Sequence, residues 1–547
     1  MSSSGLKQMS ACLIHLPPEL LEQILSGLPN SDIKSLRLTC TQLHRSAQLR
    51  LSRIFLSPNP LNVSVFRAIA DHEGFRKKIV EIIYDDARLA YSHETRDGEN
   101  YEDEDEDEVS IGDVRGVPFW YRRIYRENYH TVKSYGVGDV KRSHHLEVQE
   151  RFKAPLSPVE SYRLYQKLVQ EQEHAIATNS DADALKYGLP RFPNLRTITL
   201  TPVAHGRPYR PFYPTPMIRS LPRGLIYPIP RGWPVSEEQS NYPFAESWDG
   251  EEKAKWRGFC LVTQAVAQYQ RENPAAGISE FIVNSNQLLT GINCRVFDDA
   301  ENSEYKDLVT ILAQPGFSRV DLSLHVGGQD EEDWHSFRSG LLQHALGTAQ
   351  GLQHVSLTTN LAIPGELWDA DEGGEEHHIP LRTLFPIDTW SNLQHFGLSR
   401  FLVNQSDVMD FLLAMPLTLQ SVELSFLWFL PNNGHYQSLL EQMRDELDWR
   451  ERLATARPKI VIRVDNDPIS QDLAVCVGRE VQDFIYGDGE NPFDESIIYR
   501  GRGTLVDPFD PEFTRPYVQI DRLMELGILE KSSWWYQETQ AKISGTS

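Results

Sequence analysis

The residues best suited to bond-making chemistry in this 547-residue chain are spaced against it. Five cysteines, Cys12, Cys40, Cys260, Cys294 and Cys476, are scattered with no C-x-x-C pair and no close Cys/His spacing. That argues against a zinc finger and a disulfide framework and predicts reduced core thiols. His144-His145 and His377-His378 are adjacent pairs whose rings need not converge, in polar stretches that read as exposed loops. No G-x-S-x-G, phosphate-binding loop, H-E-x-x-H or dinucleotide fingerprint is present. The expectation is a chain with no catalytic residue, no metal and no cofactor, whose chemistry is recognition.

The elements that would carry recognition begin in the first fifty residues. Pro17 and Pro18 suit the first helical turn, where a missing N–H loses nothing, and Glu19 favours the positive end of the helix dipole. Leu20, Leu21, Ile24, Leu25 and Leu28 then recur at helical spacing up to Pro29, which helps to end the helix. Ser31 or Asp32 can cap a second helix with Ile33, Leu36, Cys40, Leu43 and Ala47 on one side. Two helices this short are marginal alone, and their apolar stripes exceed what they can bury against each other. They need a partner.

The string Leu16-Pro17-Pro18-Glu19-Leu20-Leu21-x-x-Ile24-Leu25-x-x-Leu28-Pro29, followed in register by Asp32-Ile33-x-x-Leu36-x-x-x-Cys40-x-x-Leu43, resembles the F-box over residues 12–56. That family is the helical module that docks on a Skp-family adaptor in cullin-based ubiquitin ligases. The resemblance implies that Leu16, Pro17, Leu20, Ile24, Leu25, Leu28, Ile33, Leu36, Cys40 and Leu43 face the adaptor, and that Arg53-Ile54-Phe55 is a basic-aromatic continuation of the module. A helical hairpin packed on the rest of the chain is the alternative.

Length and charge fit a small N-terminal module ahead of a larger body. The net charge is −23, and the run from Glu102 to Glu108 supplies seven of the negative charges, leaving −16 elsewhere. Nucleic acid and anionic membranes are therefore poor bulk partners. No leader-like or membrane-spanning run is apparent, so an intracellular chain, cytoplasmic and/or nuclear, is expected. Residues 57–91 read as a helical connector, with Val65, Phe66, Ile69, Phe75, Ile79, Ile82 and Ile83 at helix-compatible intervals. Residues 92–109 read as an acidic disordered insertion. Residues 110–190 read as a helical or irregular segment, with helices near 157–180 and 181–187.

A faint repeat follows. Leu195-x-x-Ile198-x-Leu200 returns at Ile278, Phe317, Leu352, Leu393 and Leu419, and the last four starts are 39, 35, 41 and 26 residues after their predecessors. Helices are expected in the gaps, near 302–314, 331–348, 406–415 and 436–455, and a last strand at Ile460 to Val464. Strand, turn and helix at such intervals resemble a degenerate leucine-rich repeat, without its constant length or its Asn/Cys position. The fold class is α/β: a helical F-box, then an irregular leucine-rich-repeat-like solenoid over 191–470 with long insertions, then a C-terminal segment, 471–547. This layout resembles the large fungal F-box family. An irregular α/β domain is the alternative.

Residues 202–234 hold nine prolines and five arginines and read as a long loop; its PxxP spacings also fit a polyproline ligand. Tyr209, Arg210, Phe212, Tyr213 and Arg219 are its candidate substrate-binding residues. The basic-aromatic stretch Phe119 to Arg126 looks like a stacking surface for nucleic acid, but alternating aromatics more often pack. The resemblance implies a non-catalytic subunit that reaches a cullin through the Skp adaptor and holds an unknown protein substrate on its body. An F-box scaffold that does not direct ubiquitination has the same residues, and an unrecognised enzyme in the C-terminal body is a third reading.

Overall fold

In the computed structural model, each of the six apolar strings becomes a strand. The structure describes residue 13 and residues 16–90, 115–134, 148–235, 243–329, 332–361, 378–465, 473–494 and 503–516. The acidic stretch 92–109, Cys12, His144, His145 and His377 lie outside the described residues.

The main sheet runs β1 (Arg53–Leu56), β2 (Glu81–Asp85), β3 (Thr197–Thr201), β4 (Glu280–Val283), β5 (Arg319–His325), β6 (His354–Thr359), β7 (His395–Ser399), β8 (Ser421–Ser425) and β9 (Lys459–Val461). All pairings are parallel and the spatial order is the chain order, with a two-residue strand, Ile292–Asn293, added beside β5. The second apolar residue of each string lies in one register across the sheet: Ile54, Ile82, Ile198, Phe281, Val320, Val355, Phe396, Val422 and Ile460. All nine are buried. Crossovers between parallel strands are right-handed. With the strand order never reversing, they lay their helices on one face, where these apolar residues point.

That face is packed by helices whose buried stripes are apolar. They include α4 (Pro60–Asp71), α7 (Ser180–Gly188), α8 (Arg257–Glu272), α9 (Ser303–Leu312), α10 (Leu341–Gly347), α11 (Gln405–Leu413), α12 (Tyr436–Glu446) and α13 (Gly478–Tyr486). Helices are thus present in the gaps between strings, but the one expected over 331–348 is two, His335–Arg338 and Leu341–Gly347, parted at Gly340 with φ +76°, and the one expected over 436–455 ends at Glu446. The chain leaves the sheet at Ile462. What reads as one strand at 460–464 is β9 followed by β10 (Arg463–Asp465), which pairs antiparallel with β11 (Ala474–Cys476), itself joined to β12 (Thr504–Asp507) and β13 (Asp510–Pro516).

Two boundaries move. Arg53-Ile54-Phe55 is the first strand of the sheet and no continuation of the N-terminal module, and Ile82 and Ile83 lie in a strand and not in a helical connector. Isoleucines in a short run suit a strand buried on both faces, where apolar residues need not alternate with polar ones. The body therefore begins at Arg53, well before residue 191, and α7 belongs to its core.

A second apolar cluster joins α5 (Phe119–Ser134), α6 (Pro158–Ala177) and the insertion at Leu225, Ile226 and Tyr227. Tyr121 and Tyr125 are buried there; their hydroxyls donate to the carbonyls of Ile226 at 2.8 Å and Leu156 at 2.6 Å. The stretch that looks like a stacking surface is a packed helix face.

Candidate docking surfaces

The N-terminal module is three helices with a core of their own: α1 (Pro18–Ser26), α2 (Asn30–Thr39) and α3 (Thr41–Ser46). Pro17 caps α1, Gly27 ends it, and Pro29 holds the cap position of α2, which places Asp32 in that helix's first turn. Cys40 caps α3, its sulfur accepting from Leu43 N–H at 3.5 Å. Asn30 and Arg50 exchange two hydrogen bonds, Nδ2 to carbonyl at 2.7 Å and N–H to Oδ1 at 2.9 Å. The Arg50 guanidinium also donates to the carbonyls of Ser26 and Leu28. These bonds clasp the end of the module to its first turn.

A step of one residue turns a helix by about 100°, and α1 uses that step to carry two apolar stripes. Leu21 and Leu25 point inward with Ile33, Leu43 and Ala47. Leu20 and Ile24 point outward, 48% and 42% exposed, and Pro17 is exposed one turn before them. Of the ten residues the resemblance implies for the adaptor, Leu25, Ile33 and Leu43 are therefore core and shape the surface without forming it. Leu16, Leu28, Leu36 and Cys40 are half-buried at its margin. Leu38 on α2, 87% exposed, was absent from that set; it falls outside the periodic stripe, and an exposed leucine leaves no periodic signal.

Residues 13–53 match the family model described as F-box-like. The chain carries an F-box-like domain. F-box domains generally bind Skp-type adaptors, so the match points to a role in a ubiquitin-ligase adaptor or in protein interaction. The matched F-box stops where β1 begins. No curated protein matches the chain.

Beyond the F-box, the Pro/Arg-rich insertion does not project. Ala204, Met217 and Ile218 form a small buried cluster, Leu225 to Tyr227 enter the second core, and Trp233 enters the main one. Its irregular backbone is satisfied by side chains: Asn62 Oδ1 accepts from Met217 N–H at 2.9 Å, and Asn128 Nδ2 donates to Tyr227 carbonyl at 2.9 Å. Prolines exclude neither burial there nor a short helix: Pro216–Ser220 is a helical turn that Pro216 opens, with the Thr215 hydroxyl accepting from Ile218 N–H.

Its five candidate residues accordingly scatter. Tyr209 packs against Phe152, ring centroids 3.7 Å apart and planes tilted by 52°. Arg210 is buried against Asp507 at 3.0 Å, and Phe212 packs between Tyr213 and Phe509. Tyr213 lies over Phe55 at 6.3 Å and takes a hydrogen bond from Asn284. Only Arg219 of the five is exposed.

The face of the main sheet turned away from the helices carries polar residues at the alternate positions. One register row reads Arg53, Glu81, Thr197, Glu280, Arg319, His354, His395, Ser421 and Lys459. Arg53 pairs with Glu81 at 2.7 Å, Arg319 with Asp321 at 2.5 Å, and His354 Nε2 lies 3.0 Å from Asp321. Burial would raise the Asp321 pKa, but the hydrogen bonds from His354 and Arg319 hold it below the usual carboxylate range. The rings of His354 and His395 stack at 4.0 Å. Burial, and then the neighbouring His354, push His395 down to about 4. Glu423 pairs with Arg463.

A depression of about 410 Å³ lies over this face from Arg53 to Thr358, edged by Tyr213 and Asn286. A smaller one, about 100 Å³, shares Asn286, Ser356 and Thr358 with it and continues to Arg400, Glu423 and Arg463. The x positions of the apolar strings are the sequence signal for this face. Among the described residues no group of three or more His, Cys, Asp or Glu could hold a metal, and no helix is long and apolar enough to cross a membrane.

Proposed function

We propose that the chain is the substrate-recognition subunit of a Skp-cullin-F-box type ubiquitin ligase. One observation carries the reading: within the segment that matches the F-box-like model, Leu20, Ile24 and Leu38 are exposed although the module has its own core. Leucines left outside a filled core, on a domain type that generally binds Skp-type adaptors, are what an adaptor would cover. Through the adaptor the chain reaches a cullin, and the sheet-bearing body holds a protein substrate. The chain itself is non-catalytic: holding a substrate lysine near the charged conjugating enzyme raises its effective concentration there. Its setting is cytoplasmic and/or nuclear.

The test is capture of a purified Skp-type adaptor by the full chain and by Leu16→Ala/Pro17→Ala and Leu20→Ala/Ile24→Ala variants. Loss of the adaptor with an unchanged melting temperature supports the reading; retention by both variants overturns it. Partners captured through the body that accumulate after proteasome inhibition, and only when the F-box is intact, support a ligase. Partners whose level ignores both conditions make the chain a scaffold.

A further inference from the structure

We infer that the open face of the main sheet is a trough for an extended peptide segment of the partner protein, with a basic residue at one end and an acidic residue about six positions away. The inference rests on the reading of the body as the partner-binding part and names the chemistry it selects. The insertion covers the apolar portion of this face, with Tyr213 over Phe55 at the β1 end, and the loop from Asn284 to Leu288 edges the two depressions. What is left open is polar and charged.

The charge is arranged in two halves. At the β1 to β5 end, Arg53 and Arg319 face three carboxylates, Glu81, Glu280 and Asp321; Glu280 accepts from the Thr197 hydroxyl at 3.0 Å and shares the Arg319 charge with Glu81 and Asp321. At the β8 to β10 end, three cations, Arg400, Arg463 and Lys459, face two carboxylates, Glu423 and Asp465. One end is short of a cation and the other of an anion. Between them lie the stacked His354 and His395 and the Ser356 and Gly397 positions, where a Cβ on Gly397 would come within 2.6 Å of Ser356 Oγ. The floor there is kept low.

The distance sets the ligand class. Glu280 on β4 and Glu423 on β8, which is paired with Arg463 from β10, are separated by four strand spacings, roughly 19 Å at about 4.8 Å each, which is spanned by about six residues of extended chain at about 3.3 Å per residue. A compact metabolite does not reach both ends, and a neutral glycan uses neither charge. An extended peptide does both, lying across the strands with its side chains directed to alternate rows.

The experiment pans a display library of random peptides, each about twelve residues long, on the immobilised full chain and on Glu280→Lys and Arg463→Glu variants. The expected result is that the wild-type chain enriches peptides with one Lys or Arg and one Asp or Glu about six positions apart. Glu280→Lys should enrich peptides acidic at both positions, and Arg463→Glu peptides basic at both. A peptide selected on the wild type should bind each variant at least about tenfold more weakly, since an attraction has become a repulsion. If Arg463→Glu fails to fold, Lys459→Glu, on an exposed side chain, replaces it. Enriched peptides whose charges are the same on wild type and variants, or no enrichment at all on a folded chain, overturn the inference. Capture of the Skp-type adaptor is measured on the same proteins. Its loss from the wild-type chain counts against the ligase reading alone, and its presence with no tracking of charge counts against the trough alone.

Discussion

Arg210 Nη1 donates to Asp507 Oδ2 at 3.0 Å, across 297 residues of chain, and both side chains are buried. Arg207 stands 3.6 Å from the same oxygen, with its guanidinium over the Phe509 ring at 4.8 Å. The contact fastens the Pro/Arg-rich insertion to the turn between β12 and β13. An arginine that the sequence offers as a partner-binding residue is thereby a brace of the fold.

Breaking that brace from one side leaves a buried charge. Arg207 still stands beside the carboxylate, so Arg210→Ala is expected to cost about 1–3 kcal/mol of body stability, and Asp507→Ala added to it should cost less than the sum of the two single changes. Burial would raise the Asp507 pKa, but Arg207 and Arg210 hold it lowered. Its contribution is therefore full above the unfolded-state value and is lost as the pH falls through the folded one. Urea melts of the two single variants and the double variant at neutral pH check the prediction, and additive losses would sink it.

In the F-box, inward and outward leucines should separate in their effects. Ile33 is 1% exposed, and Ile33→Ala is expected to remove about 2–5 kcal/mol from a module of only three helices. Amide protection over residues 18–46 and adaptor capture should fall together, while the main transition of the body stays in place because the cores are distinct. Leu38→Ala should leave protection untouched and weaken adaptor capture. Equal loss of protection in both variants would contradict the assignment of faces.

Gly258 lies in the first turn of α8 directly against Asp86, whose Oδ2 accepts from Gly258 N–H at 3.0 Å and from Trp233 Nε1 at 2.9 Å. A Cβ at Gly258 would come within 2.4 Å of Asp86 Cγ. Gly→Ala inside a helix ordinarily gains up to about 1 kcal/mol. Here the clash reverses the sign, and a loss of about 1–3 kcal/mol is expected. Chemical denaturation of Gly258→Ala decides it, since a gain would show that the carboxylate moves aside freely.

Asp85, beside it, is buried with one backbone hydrogen bond, from Ala87 N–H at 3.0 Å. Burial raises its pKa to about 8; the Ala87 bond opposes the shift and the Asp86 charge adds to it. The folded state thus binds this proton more tightly than the unfolded chain, whose aspartates titrate near about 3.9. Stability from this group is present at low pH and is lost as the pH rises from about 4 to about 8. Asp85→Asn should remove that slope, so its stability relative to the parent should increase with pH across this window. Parallel pH profiles for the two proteins would refute it.

The sequence by itself determined the N-terminal module and the strands of the body from residue 195 onward, because both rest on local periodicity. Leu20 to Leu28 repeat at the helical period, and each apolar-x-x-apolar-x-apolar string can bury its residues only as a strand backed by a helix. The helices between strings follow from the same patterning. Where burial is two-sided the local signal fails: Ile82 and Ile83 carry no alternation to distinguish a strand from a helix, so the first two strands of the sheet are invisible without their neighbours.

Only the tertiary structure decided which residues face outward. Periodicity groups Leu20 with Leu21 and Ile24 with Leu25, and it takes the packing of α1 on α2 and α3 to turn one of each pair inward. Proline content marks 202–234 as a break from long regular elements but says nothing of the partners it finds in Asn62, Asn128 and Asp507, which come from distant parts of the chain. The row from Arg53 to Lys459 is assembled from nine strands spread over about four hundred residues, and no short window holds more than one or two of its members. A surface built one residue per strand exists only when the register of the sheet sets its members side by side.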